Sequence, residues 1–240
     1  MIRMTRWAVG MVVFSASVSA FAQEEGPAEE PAPQASASTS VVADANAGES
    51  SAADEKKFKL GLRLGYALPL GDAAEGVKLS DGLSGQIPIW LDVGYMVTPN
   101  VLVGLYGQYG FAQVKNCDDG ADCSAHDIRF GVQGQYHFSP SQSADPWLGL
   151  GFGYEVLGTS ESGGGQSVDI TYKGLEFLNL QGGADFKVAD AFTLGPFLSF
   201  SLGQYSTYSL SGTLGNQSGD IDKTAMHEWL TFGAKGTFGL

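Results

Sequence analysis

The feature that most constrains this chain is a period-two alternation of apolar with small or polar residues, which begins at Phe58 and continues to Leu240. It is clearest between Leu178 and Gln204, where two runs are separated by a short turn at Asp190. Side chains of a β-strand point alternately to opposite faces, so each run predicts a strand with one apolar face and one small, polar face. Each run has about 11 residues, the length that a tilted strand needs to cross a bilayer.

Eight runs of this kind follow one another, and the connections between them alternate in length. Such alternation is typical of bacterial outer-membrane barrels, where the short connections are periplasmic. The even strand number then places both termini in the periplasm. The predicted strands occupy residues 58–68, 87–95, 101–111, 127–138, 148–156, 170–188, 192–203 and 229–240. The short connections are Val97–Asn100, Ser139–Pro146 and Ala189–Ala191, and the long ones are Gly71–Gly85, Val114–His126, Gly158–Asp169 and Tyr205–Ala225.

The polar face of the strands decides which way the barrel is turned. Alternation alone also fits a water-soluble, lipocalin-like barrel with an apolar interior. A strand face in water is normally rich in Lys, Glu and Thr, whereas here it is mostly Gly, Ala, Ser and Gln. The lumen of an eight-stranded barrel is only wide enough to be filled by side chains, which suits small residues. We therefore predict an all-β fold, an eight-stranded antiparallel up-and-down transmembrane β-barrel over residues 58–240.

Charged and aromatic residues support this orientation. Charges removed from water persist when they are paired, and those on the small face carry both signs. Aromatic residues form girdles at the two membrane interfaces. The predicted lumen charges are Arg63, Asp92, Arg129, Glu155, Asp185 and Lys235. The predicted girdle consists of Tyr66, Tyr95, Phe138, Trp147, Phe186 and Phe192.

Two further segments precede the predicted barrel. Residues 1–22 combine a basic start, an apolar centre and an A-x-A site, which predicts a secretory signal peptide and a mature chain that begins at Gln23 after Sec-type export. A membrane anchor is the alternative, but the apolar centre is short. Residues 23–57 are rich in Pro, Ala, Ser and acidic residues and contain no aromatic residue, which predicts a disordered linker. A tether is the simpler role for it, with capture of a periplasmic partner as the alternative.

The overall charge and hydropathy exclude two classes of protein. The net charge of −13 argues against nonspecific nucleic-acid binding, which depends on Lys and Arg neutralising phosphates. After the N-terminal segment no apolar stretch reaches about 20 residues, so no helical membrane span is predicted.

Two prolines conflict with the strand pattern. Pro88 and Pro196 lie inside predicted strands, where each removes a hydrogen bond of the ladder and a closed barrel offers no edge. We expect bulges or local irregularity at both positions.

Cys117 and Cys123 are the only cysteines and lie in one predicted long connection. Thiols of an exported protein oxidise, so a disulfide within this connection is expected. A metal site is the alternative, with ligands from Asp118, Asp119, Asp122 and His126.

The predicted long connections are acidic, which fits a solvated rim. Weak binding of divalent cations that bridge anionic lipids is the alternative, because hard cations prefer carboxylate oxygens. No connection has the regular carboxylate spacing of a dedicated calcium site, and no metal site is predicted. The acidic residues are Asp72, Glu75, Asp81, Asp118, Asp119, Asp122, Glu161, Asp169, Asp220 and Asp222.

An enzymatic alternative rests on histidines and serines near the predicted external strand ends. A nucleophile and its base must lie within hydrogen-bond reach, which a sequence does not reveal. Since serine is abundant here, we predict no catalytic residue and no cofactor. The histidines concerned are His126 and His227, and the serines are Ser124, Ser206 and Ser209.

Residues 58–240 resemble the small eight-stranded outer-membrane β-barrels of the OmpA/OmpX/OmpW-like type, in strand pattern, loop alternation and an apolar C-terminal strand. That strand keeps the alternation but ends in Leu240 where such proteins have Phe. The resemblance implies contact with outer-membrane lipids and lipopolysaccharide, insertion by the barrel-assembly machinery, and a porin-like or structural role. We expect a non-enzymatic protein for membrane integrity or small-solute passage, with adhesion through the loops or lipid modification as alternatives.

Overall fold

The computed structural model describes residues 57–115, 117, 120–213 and 215–240. The predicted signal peptide and all but the last residue of the predicted linker lie outside these residues. The strands are β1 (Phe58–Ala74), β2 (Val77–Lys78), β3 (Leu83–Met96), β4 (Val101–Val114), β5 (Asp122–His137), β6 (Ala144–Gly163), β7 (Gln166–Ala189), β8 (Phe192–Gly212), β9 (Gln217–Asp220) and β10 (Met226–Gly239), with one short helix, α1 (Leu79–Gly82).

Eight of these strands form a closed antiparallel ring. Sequence neighbours pair in the order β1–β3–β4–β5–β6–β7–β8, and β10 closes the ring by pairing with both β8 and β1. The short strands β2 and β9 pair only with β1 and β8, outside the ring. The predicted eight-stranded barrel is therefore confirmed.

The β3–β4, β5–β6 and β7–β8 connections and both ends of the barrel lie at the same rim. Leu240 N–H donates to the carbonyl of Phe58 at 2.9 Å, and Gly239 N–H donates to Ala191 at 2.8 Å. Met96 N–H donates to Lys57 at 2.8 Å, which joins the β3–β4 turn to the start of β1. We call this the short-turn end and the opposite rim the long-loop end.

The barrel exposes apolar side chains on its outer wall and buries polar ones inside. Leu62, Leu105, Leu150 and Leu198 are 58%, 61%, 57% and 53% exposed, while Arg63 in the same strand as Leu62 is 1% exposed. A water-soluble barrel has the opposite distribution, because apolar surface is driven out of water. Only hydrocarbon solvates such a wall. Because the ring is closed, it has no edge strand, and no row of unpaired backbone groups is exposed to hydrocarbon.

No helix in the described residues is long and apolar enough to span a membrane. The short helix α1 lies instead in the connection between β1 and β3.

The strands at the long-loop end are longer than the sequence pattern predicts. The expected connection Gly158–Asp169 is wrong, because β6 and β7 remain paired up to Gly163 and Gln166. Gly164 and Gly165 alone form the turn, with φ of 60° and 80°, the left-handed values that a tight two-residue hairpin turn needs. The expected connection Tyr205–Ala225 is likewise shortened, since β8 runs to Gly212.

These extensions form a sheet that projects beyond the barrel, composed of the outer parts of β5, β6, β7 and β8 together with β9. In β7 and β8 this sheet has one apolar face, formed by Val168, Ile170, Tyr172, Tyr208 and Leu210, whereas its parts of β6 and β9 are polar on both faces. Backbone pairing, which side-chain patterns do not report, holds this sheet together.

Both in-strand prolines interrupt a ladder without shifting its register. The pairing of β1 with β3 passes from Leu64–Ile89 directly to Ala67–Gln86, next to Pro88. The pairing of β7 with β8 omits the residues opposite Pro196 in the same way. The expected local irregularity is present at both sites, and it takes the form of missing ladder pairs.

Candidate functional site in the barrel lumen

The lumen is filled by buried polar and aromatic side chains. The six charged residues predicted to face it are between 1% and 6% exposed. Three tryptophans, Trp90, Trp147 and Trp229, are buried to the same degree. Small residues make room for them: a side chain at Gly183 would lie 2.8 Å from the ring of Trp147.

One hydrogen-bond network is centred on Arg63. Its guanidinium donates to both carboxylate oxygens of Asp92, at 2.6 and 2.9 Å, in a bidentate pair. It also donates to the side-chain oxygens of Gln181 at 2.7 Å and Gln133 at 3.0 Å. Trp90 lies 4.8 Å from the guanidinium carbon. Arg63 therefore links four strands across the lumen, β1, β3, β5 and β7.

A second network is centred on Arg129, nearer the long-loop end. Arg129 Nε donates to Asp127 at 2.8 Å and Nη1 donates to Ser201 at 2.8 Å. The carboxylates of Glu155 and Glu176 lie 3.8 and 3.6 Å from its nitrogens. One buried cation thus serves three buried carboxylates, which makes it the electrostatic centre of the lumen.

Glu155 is held by three further side chains. Tyr205 donates its hydroxyl to Glu155 Oε1 at 2.6 Å, and Trp229 donates its indole N–H to the same oxygen at 3.1 Å. His227 Nε2 lies 2.9 Å from Oε2, and its ring stacks on Tyr205 with centroids 4.0 Å apart. Every group in this cluster is buried inside the lumen.

Sequence reasoning missed two of these carboxylates for different reasons. Glu176 is displaced by a bulge between Glu176 and Leu178, which reverses the facing of the residues before it. Tyr106 donates its hydroxyl to this carboxylate. Asp127 shares the facing of Arg129, and its position two residues away is the signal that identifies it.

The predicted girdle is wrong for Trp147. This residue is 1% exposed, donates its indole N–H to Asp185 at 3.0 Å, and has its ring 4.1 Å from the Lys235 ammonium nitrogen. The reason is its facing, which is opposite to that of the lipid-facing Leu148. Phe138, Tyr95 and Phe186 are 53%, 38% and 47% exposed, and Tyr66 and Phe192 are partly exposed.

The two histidines considered for catalysis have different surroundings. His227 lies inside the lumen on Glu155, as described above. His126 stacks on Tyr109, with centroids 6.0 Å apart and nearly parallel rings. Ser206 donates to the backbone of Lys173 at 3.4 Å, and within the described part of the chain no serine is hydrogen-bonded to either histidine.

Cys117 and Cys123 form a disulfide at the long-loop end. Over the described residues no group of three or more His, Cys, Asp or Glu side chains could hold a metal ion. Asp118 and Asp119 lie outside those residues. Among the acidic residues of the connections, Glu75 pairs with Lys223 at 2.9 Å.

Removing this disulfide is expected to leave the barrel intact. The bond joins two residues six positions apart at the rim, so Cys117→Ser should loosen only that loop. We expect the midpoint of thermal unfolding in detergent to be unchanged, while proteolysis at residues 115–122 becomes faster. Unfolding of the whole barrel in the variant would contradict this view.

The two ends of the lumen differ. At the long-loop end an apolar cap lies over Tyr205 and Trp229, and it is formed by Ala73, Leu79 and Leu83 with Ile221 packed against them. Ile221 N–H donates to the carbonyl of Ser206 at 2.9 Å, which fixes the cap to β8. At the short-turn end a vestibule of about 440 Å³ opens into the barrel.

Neither a protein-family model nor a curated protein matches the sequence. Several solved structures are similar to the chain. Neisserial surface protein A is 12% identical, with a TM-score of 0.48 over 76% of this chain and 97% of its own. A major outer membrane protein from Thermus thermophilus is 12% identical, with a TM-score of 0.49 over 75% and 99%. The outer membrane protein AlkL is 17% identical, with a TM-score of 0.45 over 88% and 97%.

Those identities and TM-scores are too low to assign a function. The closed ring of eight strands and its inverted polarity establish the fold independently. The chain has the architecture of a small outer-membrane β-barrel. Its lumen is packed with side chains and lies between an apolar cap and an open vestibule.

Proposed function

We propose that this protein is a non-enzymatic barrel of the bacterial outer membrane with a structural role in membrane integrity, and that it does not conduct solutes. The proposal rests on one observation, the packed lumen. Across its middle lie Arg63, Arg129 and the three tryptophans, each with an exposed fraction of 1% or less. Eight strands enclose only enough space for such side chains, so a path for solutes requires these groups to leave.

The arrangement of the networks makes such a departure costly. Each arginine is bound to side chains of several strands, and moving it exposes carboxylates that are paired only inside the lumen. Breaking a buried charge pair by removing one partner costs about 3–5 kcal/mol. The cap adds an apolar layer at the long-loop end. Gating by thermal motion of one side chain is therefore disfavoured.

Orientation follows from the same anatomy. We place the short-turn end, with both barrel termini, in the periplasm and the projecting sheet outside the cell, because short turns face the periplasm in barrels of this kind. Lipopolysaccharide and outer-membrane lipids would then surround the apolar wall, and the barrel-assembly machinery would insert it.

Conductance of the purified barrel in planar lipid bilayers tests the proposal. We expect no unitary current steps above the bare-membrane baseline, with folding verified by β-sheet circular dichroism of the same sample. A large-pore porin reconstituted in parallel controls for insertion. Reproducible steps from the folded barrel would show that the lumen conducts, and the structural role would then give way to solute passage.

A further inference from the structure

The vestibule at the short-turn end has the size and chemistry of a ligand site. Its volume of about 440 Å³ lies within the range of small-molecule pockets. Met96, Pro99 and Leu102 supply apolar surface on its wall, while Lys235 lies in the part that reaches into the barrel. It thus combines an apolar wall with a floor at which Lys235 lies beside Asp185.

Lys235 has donor capacity beyond its contacts inside the barrel. Its side chain is buried, and its ammonium nitrogen lies 3.3 Å from Asp185 and 3.2 Å from the side-chain oxygen of Gln135. An ammonium group has three N–H donors, and these two acceptors use two of them. The third is available for an acceptor in the vestibule.

The acidic residues of the vestibule floor are already occupied. Asp185 also accepts the indole N–H of Trp147, and Asp145 accepts from the backbone of Ser139 at 2.9 Å and lies 2.7 Å from His137 Nδ1. An anion entering the vestibule therefore meets carboxylates that already accept hydrogen bonds from the protein.

Two further groups on the wall have no such commitment. Lys59 forms no ion pair with any residue that the structure describes, and Thr237 has a buried hydroxyl oxygen without a hydrogen-bond partner. Both belong to the paired strands β1 and β10, on the same inward face as Lys235, since Gly61 pairs with Thr237 and Arg63 with Lys235. One cationic and one hydroxyl group thus line the way to the floor.

We propose that the vestibule binds a small organic carboxylate from the short-turn side. The carboxylate accepts hydrogen bonds from Lys235 and Thr237, with Lys59 supplying a second positive charge, and the hydrocarbon part lies against Met96 and Leu102. The apolar wall is the reason to choose an organic acid over an inorganic anion. Because the packed lumen separates the vestibule from the other end, the ligand enters and leaves by the same opening. This site is independent of the structural role proposed above.

Calorimetric titration of the folded barrel in nonionic detergent with hexanoate tests the proposal. We expect saturable binding of hexanoate and none of hexanol, which has the same hydrocarbon part without the charge. Inorganic phosphate is expected to bind much more weakly. Since Trp147 contacts the floor, its fluorescence should change with the same saturation curve.

Variants assign the site to its residues. Lys235→Met, Lys59→Gln and Thr237→Val should each weaken hexanoate binding, the first by about tenfold or more, because a hydrogen bond to a charged group is lost. If Lys235→Met does not fold, the other two, which break no buried ion pair, still decide the question. Lys173→Met removes one positive charge from the exposed surface at the long-loop end and is the matched control with unchanged binding.

The proposal would be overturned by no saturable binding of hexanoate to the wild-type barrel, by equal binding of hexanol, or by unchanged affinity in both Lys59→Gln and Thr237→Val. Phosphate binding as tight as hexanoate would replace the organic acid with a general anion site and would also refute it as stated.

Discussion

Replacing Arg129 by methionine should destabilise the folded barrel by about 3–5 kcal/mol, the range for removing one partner of a buried ion pair. Arg129 is 1% exposed and is the cation nearest to Asp127, Glu155 and Glu176, which are 0–1% exposed themselves. Methionine fills much of the same volume, so the loss is electrostatic more than a matter of packing. The measurement is the free energy of unfolding by urea in lipid vesicles.

Two further variants separate this explanation from simple damage to the lumen. Adding Asp127→Asn to Arg129→Met removes the most closely paired carboxylate, 2.8 Å from the guanidinium, and should recover part of the lost stability. Lys173→Met at the exposed surface should change stability by about 0.5 kcal/mol or less. If the double variant is no more stable than Arg129→Met alone, charge compensation is not the main role of Arg129.

Replacing Leu198 by arginine should cost about 2–4 kcal/mol in a bilayer of ordinary thickness, the value for a charge at the midplane of a barrel's outer wall. Leu198 is 53% exposed and lies in the middle of the spanning part of β8, opposite Phe232. In a thinner bilayer the guanidinium reaches water more easily, so the cost should fall. Folding free energies of wild type and variant in lipids of two chain lengths give the result.

Gly183→Arg is the matched control for bilayer thickness. A side chain there meets the ring of Trp147 in the packed lumen at 2.8 Å, so its cost is steric and should be the same in thick and thin bilayers. Equal costs of Leu198→Arg in the two lipids would contradict a lipid-facing outer wall. So would folding of the wild type as a soluble monomer without lipid.

The sequence predicts most of the spanning barrel because its signal is local and repeated. Each strand must place one face in hydrocarbon, so period-two alternation reports strand number, order and facing at once. The six lumen charges follow from the same facing. Trp147 has the same facing as the lumen charges. Its position near a strand end predicts the girdle and its facing predicts the lumen, and it lies in the lumen.

Only the tertiary structure decides two kinds of feature. One is the extent of strands whose two faces do not differ in polarity, and the other is the side on which a residue lies when a bulge reverses the alternation. In the projecting sheet only β7 and β8 have an apolar face, and backbone pairing across β5 to β9 sets how far its strands extend. The bulge before Leu178 turns Glu176 inward, and no local signal marks it.

Only the tertiary structure also decides which charged residues pair with each other inside the lumen. The sequence by itself determined which charged residues leave water, because alternation in a barrel assigns each side chain to hydrocarbon or lumen. It did not determine that Arg63 pairs with Asp92, 29 residues away, or that Arg129 serves Glu155 and Glu176 on other strands. Those pairings depend on how far neighbouring strands are staggered when the ring closes, which is a property of all eight strands together.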